Sequence, residues 1–120
     1  MAQLTGAQMV LEGLQREGVD TIFGYPGGVV LPLYDTLPQY PGMRHILVRH
    51  EQGAGFMADG YARASGKPGV CFTITGPGVL NILTPIGQAW SDSSNMLVIA
   101  TALDVTDSAQ GRGRWHEMLD

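Results

Sequence analysis

Glu51 is the residue of this sequence whose type and position most suggest chemistry. It follows an apolar run at residues 46–48, which is typical of a buried strand, and it begins a segment with helical periodicity. A carboxylate in the first turn of a helix has an ordinary explanation, because the exposed N–H groups and the helix dipole favour negative charge there. A strand-to-helix turn is also where open α/β sheets place their ligands. Glu51 is therefore a candidate for binding a ligand and exchanging a proton with it.

The segment after Glu51 predicts a helix with one buried face and several glycines. Four apolar residues repeat at the spacing i, i+3, i+4 and i+7, namely Ala54, Met57, Ala58 and Tyr61. The same segment contains Gly53, Gly55 and Gly60, and each glycine inside a helix costs about 1 kcal/mol relative to alanine. We therefore expect another backbone or a ligand to approach this helix closely, which glycine permits.

Two glycine-rich turns are expected at the same edge of the sheet as Glu51. Residues 24–28 (Gly-Tyr-Pro-Gly-Gly) follow an apolar run at 21–23, and residues 76–78 (Gly-Pro-Gly) follow another at 70–75. Glycine lets the backbone come within contact distance of a flat ring, although each turn alone is equally well explained as a tight connection. Neither turn has the ending of a P-loop or the spacing of a dinucleotide fingerprint. A nucleotide site of the NAD-binding type is therefore a weak alternative.

Composition predicts one globular domain, or part of one, in a reducing compartment. The chain has 120 residues, of which 44% are hydrophobic and 15% charged, a balance that suits a well-buried α/β fold. The net charge of -4 argues against nucleic acid or an anionic membrane as a partner. The single cysteine, Cys71, lies in an apolar run, where a buried free thiol is expected. The sequence shows neither a secretory signal nor a membrane-spanning run, so we predict a cytoplasmic protein.

Periodicity and turn residues predict alternating helices and strands. A first helix at residues 7–14 begins with a capping box of Thr5 and Gln8. The predicted strands cover residues 21–23, 45–48, 70–75 and 96–100. The further helices cover 31–37, the segment from Glu51, and 85–92 with Pro85 as its first residue, and a helix from Val79 kinked at Pro85 is the alternative for the last one. Strands that are apolar throughout indicate burial on both faces. The order predicts an α/β fold, a doubly wound parallel sheet with helices on both faces. Residues 104–120 are predicted to be a loop with a helical turn near Trp115.

Three motifs, in order, resemble those of a known family. Residues 49–54 (Arg-His-Glu-Gln-Gly-Ala) together with 57–63 resemble the signature of the pyrimidine-binding domain of thiamine-diphosphate enzymes, the group of acetolactate synthases and 2-oxo acid decarboxylases. Residues 24–28 and 76–81 are similar to two further motifs of that group. The resemblance extends from Leu4 to about Val98 and is looser beyond Thr101. Residues 111–117 look most like decarboxylases that act on a guanidino 2-oxo acid, whose guanidinium Glu117 and Asp120 could bind.

The resemblance implies a role for each site residue. Glu51 matches the carboxylate that bonds to a ring nitrogen of the cofactor's aminopyrimidine and shares a proton with it. The residues that the resemblance places against the pyrimidine half of thiamine diphosphate are Tyr25, Pro26, Gly27, Pro77 and Asn81. His116 falls near where related enzymes place a Gln or His that reaches the active site, although a histidine in a surface loop is the plainer interpretation. No pair of histidines has the spacing of a metal site.

The resemblance also implies what lies outside this chain. The family binds diphosphate and Mg²⁺ through a separate C-terminal domain with a Gly-Asp-Gly motif, which this sequence does not contain. We therefore expect residues 1–120 to be a pyrimidine-binding domain, incomplete at its C-terminus, from an enzyme that decarboxylates or ligates 2-oxo acids as a homodimer or homotetramer. The middle and diphosphate-binding domains would be absent, and the fragment alone would be inactive. The resemblance allows FAD as a further cofactor.

Two alternatives of other kinds stay open. The chain could be a stand-alone pyrimidine-domain subunit of a split 2-oxo acid decarboxylase. It could instead be a non-catalytic, flavodoxin-like binding module, since that fold shares the alternation of strands and helices.

Overall fold

The computed structural model of the protein describes residues 3–103 and His116. The helices are α1 (Gly6–Arg16), α2 (Leu31–Thr36), α3 (Glu51–Ser65) and α4 (Pro77–Ser91), with short 3-10 turns at Gly28–Val30 and Leu37–Gln39. The strands are β1 (Thr21–Gly24), β2 (Arg44–Leu47), β3 (Gly69–Thr73) and β4 (Met96–Ala100). They form one sheet in the order β2-β1-β3-β4, and every pair is parallel.

Helices cover both faces of this sheet, which confirms the predicted doubly wound α/β fold. One core lies between the sheet and α1 and α2, and it contains Leu11, Ile22, Leu33, Val70 and Phe72 among others. The second core lies between the sheet and α3 and α4, and it contains Phe23, Ala54, Ala58, Cys71 and Ile82. Neighbouring strand residues such as Ile22 and Phe23 fall in different cores because side chains alternate along a strand.

All four predicted strands are apolar, but only two of the four strands are fully buried in the described structure. β1 and β3 are buried at every position. β2 and β4 are the outer strands of the described sheet, and Leu47 and Leu97 are 63% and 44% exposed. The prediction that β4 is covered on both faces is therefore wrong for the described residues, since an outer strand lacks neighbours on one side. β3 also ends at Thr73, two residues earlier than predicted.

The beginning of α1 is as predicted. Thr5 Oγ1 accepts a hydrogen bond from the backbone N–H of Gln8 at 3.2 Å, and Gln8 Oε1 accepts one from the N–H of Thr5 at 2.9 Å. This capping box satisfies two N–H groups that have no partner within the helix.

Helix α4 corrects the predicted break before Pro85. The helix runs without interruption from Pro77 to Ser91, with Pro85 inside it. Proline in a helix interior removes one backbone hydrogen bond and crowds the preceding turn. Pro85 is fully buried and lies against Gly55 of α3. Packing against the neighbouring helix thus offsets the free-energy cost of Pro85 within α4. The sequence of α4 alone does not show this packing.

Helix α3 is present as predicted, but its buried face is rotated from the predicted one. Met57 is 48% exposed, and the buried face instead consists of Glu51, Ala54, Gly55, Ala58, Asp59 and Ala62. The expected close approach occurs at Gly55. At Gly53 and Gly60 nothing lies within 4 Å of an added Cβ, so that expectation is wrong for those two glycines.

Asp59, rather than Met57, lies on the buried face of α3, and the ion pairs of Arg63 account for this placement. The Arg63 guanidinium donates to Asp59 at 3.0 Å and to Asp92, at the end of α4, at 2.8 Å. The same hydrogen bond from Arg63 is the main cause that lowers the pKa of Asp59. The ion pairs therefore tie the last turns of α3 and α4 together. The predicted helical turn near Trp115, and the residues Glu117 and Asp120, lie outside the described part of the chain.

Candidate functional site

The candidate site lies at the carboxyl ends of the parallel strands. The turns after β1 and β3 meet there with the start of α3, which follows β2. Glu51 is the first residue of α3, and only 7% of it is exposed. His50 precedes it with an extended backbone, and its Nδ1 accepts a hydrogen bond from the N–H of Gln52 at 3.1 Å. His50 thus caps the helix, and this cap fixes the point at which Glu51 enters it.

Asn81 holds one end of the Glu51 carboxylate. Its side-chain amide, Nδ2, donates a hydrogen bond to Glu51 Oε2 at 2.9 Å, although the two residues are 30 positions apart in the sequence. No other hydrogen bond reaches this carboxylate from the described residues. The second oxygen, Oε1, faces Gly78, where an added Cβ would lie 3.4 Å from it. One oxygen of Glu51 is therefore anchored and the other is left for a further partner.

Ile74 connects the two glycine turns, and sequence analysis did not single it out. An added Cβ on Gly27 would lie 3.4 Å from Ile74 Cδ1, and one on Gly78 would lie 2.7 Å from Ile74 Cγ2. The same Cβ on Gly78 would lie 2.5 Å from Thr73 Oγ1, so only glycine fits there. Ile74 follows β3 directly, and an apolar residue two positions before a glycine turn was the available signal. The structure thus brings Gly27, Gly78 and Glu51 to one place around Ile74.

Three other predicted site residues lie on the surface around this place. Tyr25 is 43% exposed, and Pro26 and Pro77 are exposed as well. Within the described residues no hydrogen bond links any of the three to Glu51. They lie on the turns that surround the carboxylate, and the structure does not bring their side chains into contact with it.

His116 lies beside the second glycine turn. Its backbone carbonyl is so close to Gly76 that a Cβ there would collide with it, and Gly76 has the left-handed backbone conformation (φ 62°) that favours glycine. His116 is itself exposed. The structure therefore places the backbone of His116 at the rim of the site.

Tyr34 and His45 are partly buried beside Gly24, and sequence analysis did not single out either as a site residue. The Tyr34 hydroxyl contacts Gly24, and the Tyr34 ring packs edge-on against His45, with ring centroids 4.9 Å apart. Burial raises the pKa of Tyr34, with smaller contributions from the charges of Cys71 and Glu51. Burial also lowers the pKa of His45, against a weaker opposing effect of the Gly24 backbone. Both pKa shifts favour the uncharged forms of these side chains beside the first glycine turn.

Other chemistry finds little support in the described part of the chain. Burial raises the pKa of Cys71 to about 12, so that its thiol stays protonated and unreactive at neutral pH. Residues 3–103 and His116 contain no group of three His, Cys, Asp or Glu side chains that could hold a metal ion. No helix in this part of the chain is both long enough and apolar enough to cross a membrane.

The arrangement fits a flat heteroaromatic ring. Glycines at positions 27 and 78 present backbone without side chains, and a Cβ at Gly78 would fill the space beside Glu51 Oε1. A carboxylate oxygen with no donor among the described residues can share a proton with a ring nitrogen. An aminopyrimidine supplies such a nitrogen, so the residues present fit the cofactor that the sequence motifs imply.

A comparison with family models agrees with this fit. Residues 4–120 match the model described as "Thiamine pyrophosphate enzyme, N-terminal TPP binding domain". The match includes α3 and both glycine turns.

Curated relatives share much of this sequence over a small part of their own length. The probable 2-ketoarginine decarboxylase AruI of Pseudomonas aeruginosa is 56% identical over 117 residues, which are 98% of this chain and 21% of the relative. The mitochondrial acetolactate synthase catalytic subunit of Saccharomyces cerevisiae is 48% identical over 95% of this chain and 16% of its own length. The acetolactate synthase large subunit of Haemophilus influenzae is 51% identical over 83% of this chain and 18% of its own length. The chain thus spans about a fifth of the length of these relatives. With its motifs, fold and family match in agreement, the chain belongs to the thiamine pyrophosphate enzymes, as their N-terminal cofactor-binding domain.

Proposed function

We propose that residues 1–120 are the pyrimidine-binding part of a longer thiamine-diphosphate enzyme that acts on 2-oxo acids. The observation that carries this proposal is the Glu51 carboxylate, which is buried, anchored at Oε2 by Asn81, and unpartnered at Oε1 within the described residues. A carboxylate held in this way can pass a proton to and from a ring nitrogen at a fixed position.

The residues of this chain divide the work at the site. When bound, the cofactor supplies the electron sink and the basic amine for the reaction. Glu51 holds the proton at Oε1, and Asn81 orients the carboxylate. Gly27 and Gly78 give the ring access to the backbone, and Ile74 supports both turns from below. Tyr25, Pro26 and Pro77 line the rim, where they exclude water from the edge of the ring, and the His116 side chain reaches the site from the same rim.

We infer the substrate class from the relatives. The probable 2-ketoarginine decarboxylase is 56% identical over 98% of this chain, and the yeast acetolactate synthase catalytic subunit is 48% identical over 95% of it. The higher identity to the decarboxylase supports a substrate of the decarboxylase kind. We propose a 2-oxo acid with a guanidinium group as substrate, with carboligation of small 2-oxo acids as the alternative reaction.

We propose that the remaining parts of the enzyme lie in the longer protein. A second domain would bind the diphosphate and Mg²⁺, and FAD is compatible with the similarity to acetolactate synthases. A homodimer or homotetramer is supported by an apolar stripe on α4, where Leu80, Leu83 and Trp90 are 54%, 50% and 87% exposed. A cytoplasmic location fits the single buried thiol.

The decisive experiment replaces Glu51 with Gln in the complete protein. Gln has the shape of Glu but cannot exchange a proton, so we expect turnover to fall by about 10² to 10⁴-fold, the usual range for a general acid or base. Thermal unfolding should be unchanged, and thiamine diphosphate should still bind by calorimetry. Turnover is measured with 2-ketoarginine and with pyruvate, and the higher kcat/KM identifies the substrate class.

A matched control and two outcomes complete this experiment. Glu17→Gln makes the same change at an exposed residue at the end of α1 and should leave turnover unchanged. Full activity of Glu51→Gln would rule out the proton-sharing role. Tight binding of FMN in place of thiamine diphosphate would favour a flavodoxin-like module, and turnover by residues 1–120 with a separate partner chain would favour a split decarboxylase.

A further inference from the structure

We propose that Asn81 is a positioning residue that selects which oxygen of Glu51 meets the cofactor. This inference rests on the proposed function and deepens it. The sequence motifs suggest that Asn81 contacts the pyrimidine, whereas its amide in the structure donates to Glu51 Oε2 at 2.9 Å. The group that Asn81 binds is thus the carboxylate, and its effect on the cofactor passes through Glu51.

A free carboxylate does not distinguish its two oxygens, because rotation about the last side-chain bond exchanges them. The donor at Asn81 removes this equivalence by holding Oε2. Oε1 then faces the surface of Gly78, where no side chain intervenes. Since only one oxygen can take the ring nitrogen, the amide sets the orientation of the proton transfer before any ligand arrives.

The packing of α3 against α4 fixes the distance across which Asn81 acts. Glu51 and Gly55 are one helical turn apart on α3, and Asn81 and Pro85 are one turn apart on α4. Gly55 and Pro85 touch so closely that a Cβ on Gly55 would lie 2.7 Å from Pro85 Cβ. This contact lies one turn, about 5.4 Å, from the hydrogen bond between Asn81 and Glu51. The rigid contact therefore holds the two side chains at bonding distance.

A positioning role and a direct cofactor contact predict different losses. If Asn81 contacts the cofactor, its removal weakens binding of thiamine diphosphate. If it positions Glu51, binding changes little, while activation of the cofactor slows. Activation is followed by the exchange of the proton on the reactive thiazolium carbon for deuterium, which NMR measures without any substrate.

The test uses the complete protein with two substitutions at position 81. Asn81→Leu has a similar volume but no donor, and we expect proton exchange to slow by about 10 to 100-fold, as for a misaligned catalytic group. Asn81→Gln keeps an amide donor and should recover part of this loss. The dissociation constant for thiamine diphosphate should change by less than about threefold, a small effect on the scale of about 1.4 kcal/mol for each factor of ten. Asn95→Leu, at an exposed position before β4, is the matched control and should match the unaltered protein.

A second readout needs no cofactor and no activity. In the cofactor-free protein, the side-chain amide protons of Asn81 should exchange with water more slowly than those of Asn95, and Glu51→Gln should reduce this difference. If Asn81→Leu does not fold, this measurement and the Asn81→Gln variant still decide the proposal.

The outcomes separate this inference from the function on which it rests. Weaker cofactor binding with unchanged proton exchange in Asn81→Leu would overturn the positioning role. Normal exchange in Asn81→Leu together with slow exchange in Glu51→Gln would also overturn it, while leaving the function of Glu51 intact. Normal exchange in both variants would overturn the proposed function itself.

Discussion

The contact between Gly55 and Pro85 makes the sharpest prediction about stability. A Cβ on Gly55 would collide with Pro85 Cγ, lie 2.7 Å from Pro85 Cβ, and lie 3.2 Å from Ile82 Cγ1. These atoms belong to a rigid ring and a buried side chain, so they cannot move aside as the end of a long side chain would. Gly55→Ala must therefore push α3 and α4 apart.

The expected magnitude follows from two opposing terms. Overpacking of a buried contact costs about 1–3 kcal/mol, and the rigid ring favours the upper end. Alanine is better than glycine in a helix by about 1 kcal/mol. We therefore expect Gly55→Ala to lower the free energy of unfolding by about 2 kcal/mol. Gly60→Ala, on the same helix with nothing within 4 Å of the new Cβ, should raise it by about 1 kcal/mol.

Thermal unfolding followed by circular dichroism measures both variants. At about 4 °C for each kcal/mol in a domain of this size, the two midpoints should differ by about 12 °C. Equal midpoints for Gly55→Ala and Gly60→Ala would refute the reasoning, because the two changes differ only in what the new methyl group meets.

A double-mutant cycle tests the cause of this difference. Pro85→Ala removes the ring that collides with the new methyl group, so it should reverse much of the damage in Gly55→Ala. We expect a coupling energy of about 1–3 kcal/mol between the two positions, as for residues in direct contact. Additive effects would show that the strain at Gly55 has another source. In Gly55→Ala the slow exchange of the Asn81 amide protons should also be lost, since separation of the helices lengthens its hydrogen bond to Glu51.

Two further predictions concern pH and assembly. Lys67, and then Tyr61, donate to Asp20 and hold the pKa of Asp20 well below its usual value. This stabilisation is present above the unfolded pKa of about 3.9 and is lost as pH falls below it, so the urea midpoint should fall at low pH, and less steeply in Asp20→Asn. An equally steep fall of the urea midpoint with pH in the two proteins would contradict this. Leu83→Glu, on the exposed stripe of α4, should reduce the sedimentation coefficient of the complete protein, whereas Met9→Glu, at a 57% exposed residue of α1, should not. Equal sedimentation coefficients for Leu83→Glu and the unaltered protein would argue against that stripe as the interface.

Sequence patterns correctly predicted the elements that are stabilised by residues close to each other in the chain. The capping box of Thr5 and Gln8 formed because both partners lie within four residues of each other. The alternation of strands and helices predicted the parallel sheet, since connections of this length leave few other arrangements. Met57 was misplaced because periodicity counts apolar residues alone. It could not include Asp59, whose partner Arg63 also binds Asp92 at the end of α4.

The site shows why the rest could not be predicted from one helix at a time. Gly55 is unfavourable in α3 by about 1 kcal/mol, and Pro85 is unfavourable in α4 by about 3 kcal/mol, relative to alanine. Each therefore argues locally against the helix that contains it, and Pro85 led to a predicted helix start where none occurs. Together they are complementary, because the missing side chain of one makes room for the ring of the other. The crossing that results brings Asn81 to Glu51 from 30 residues away. Residues that weaken their own helices thus specify how the two helices meet, and that meeting point determines which oxygen of Glu51 is free to act.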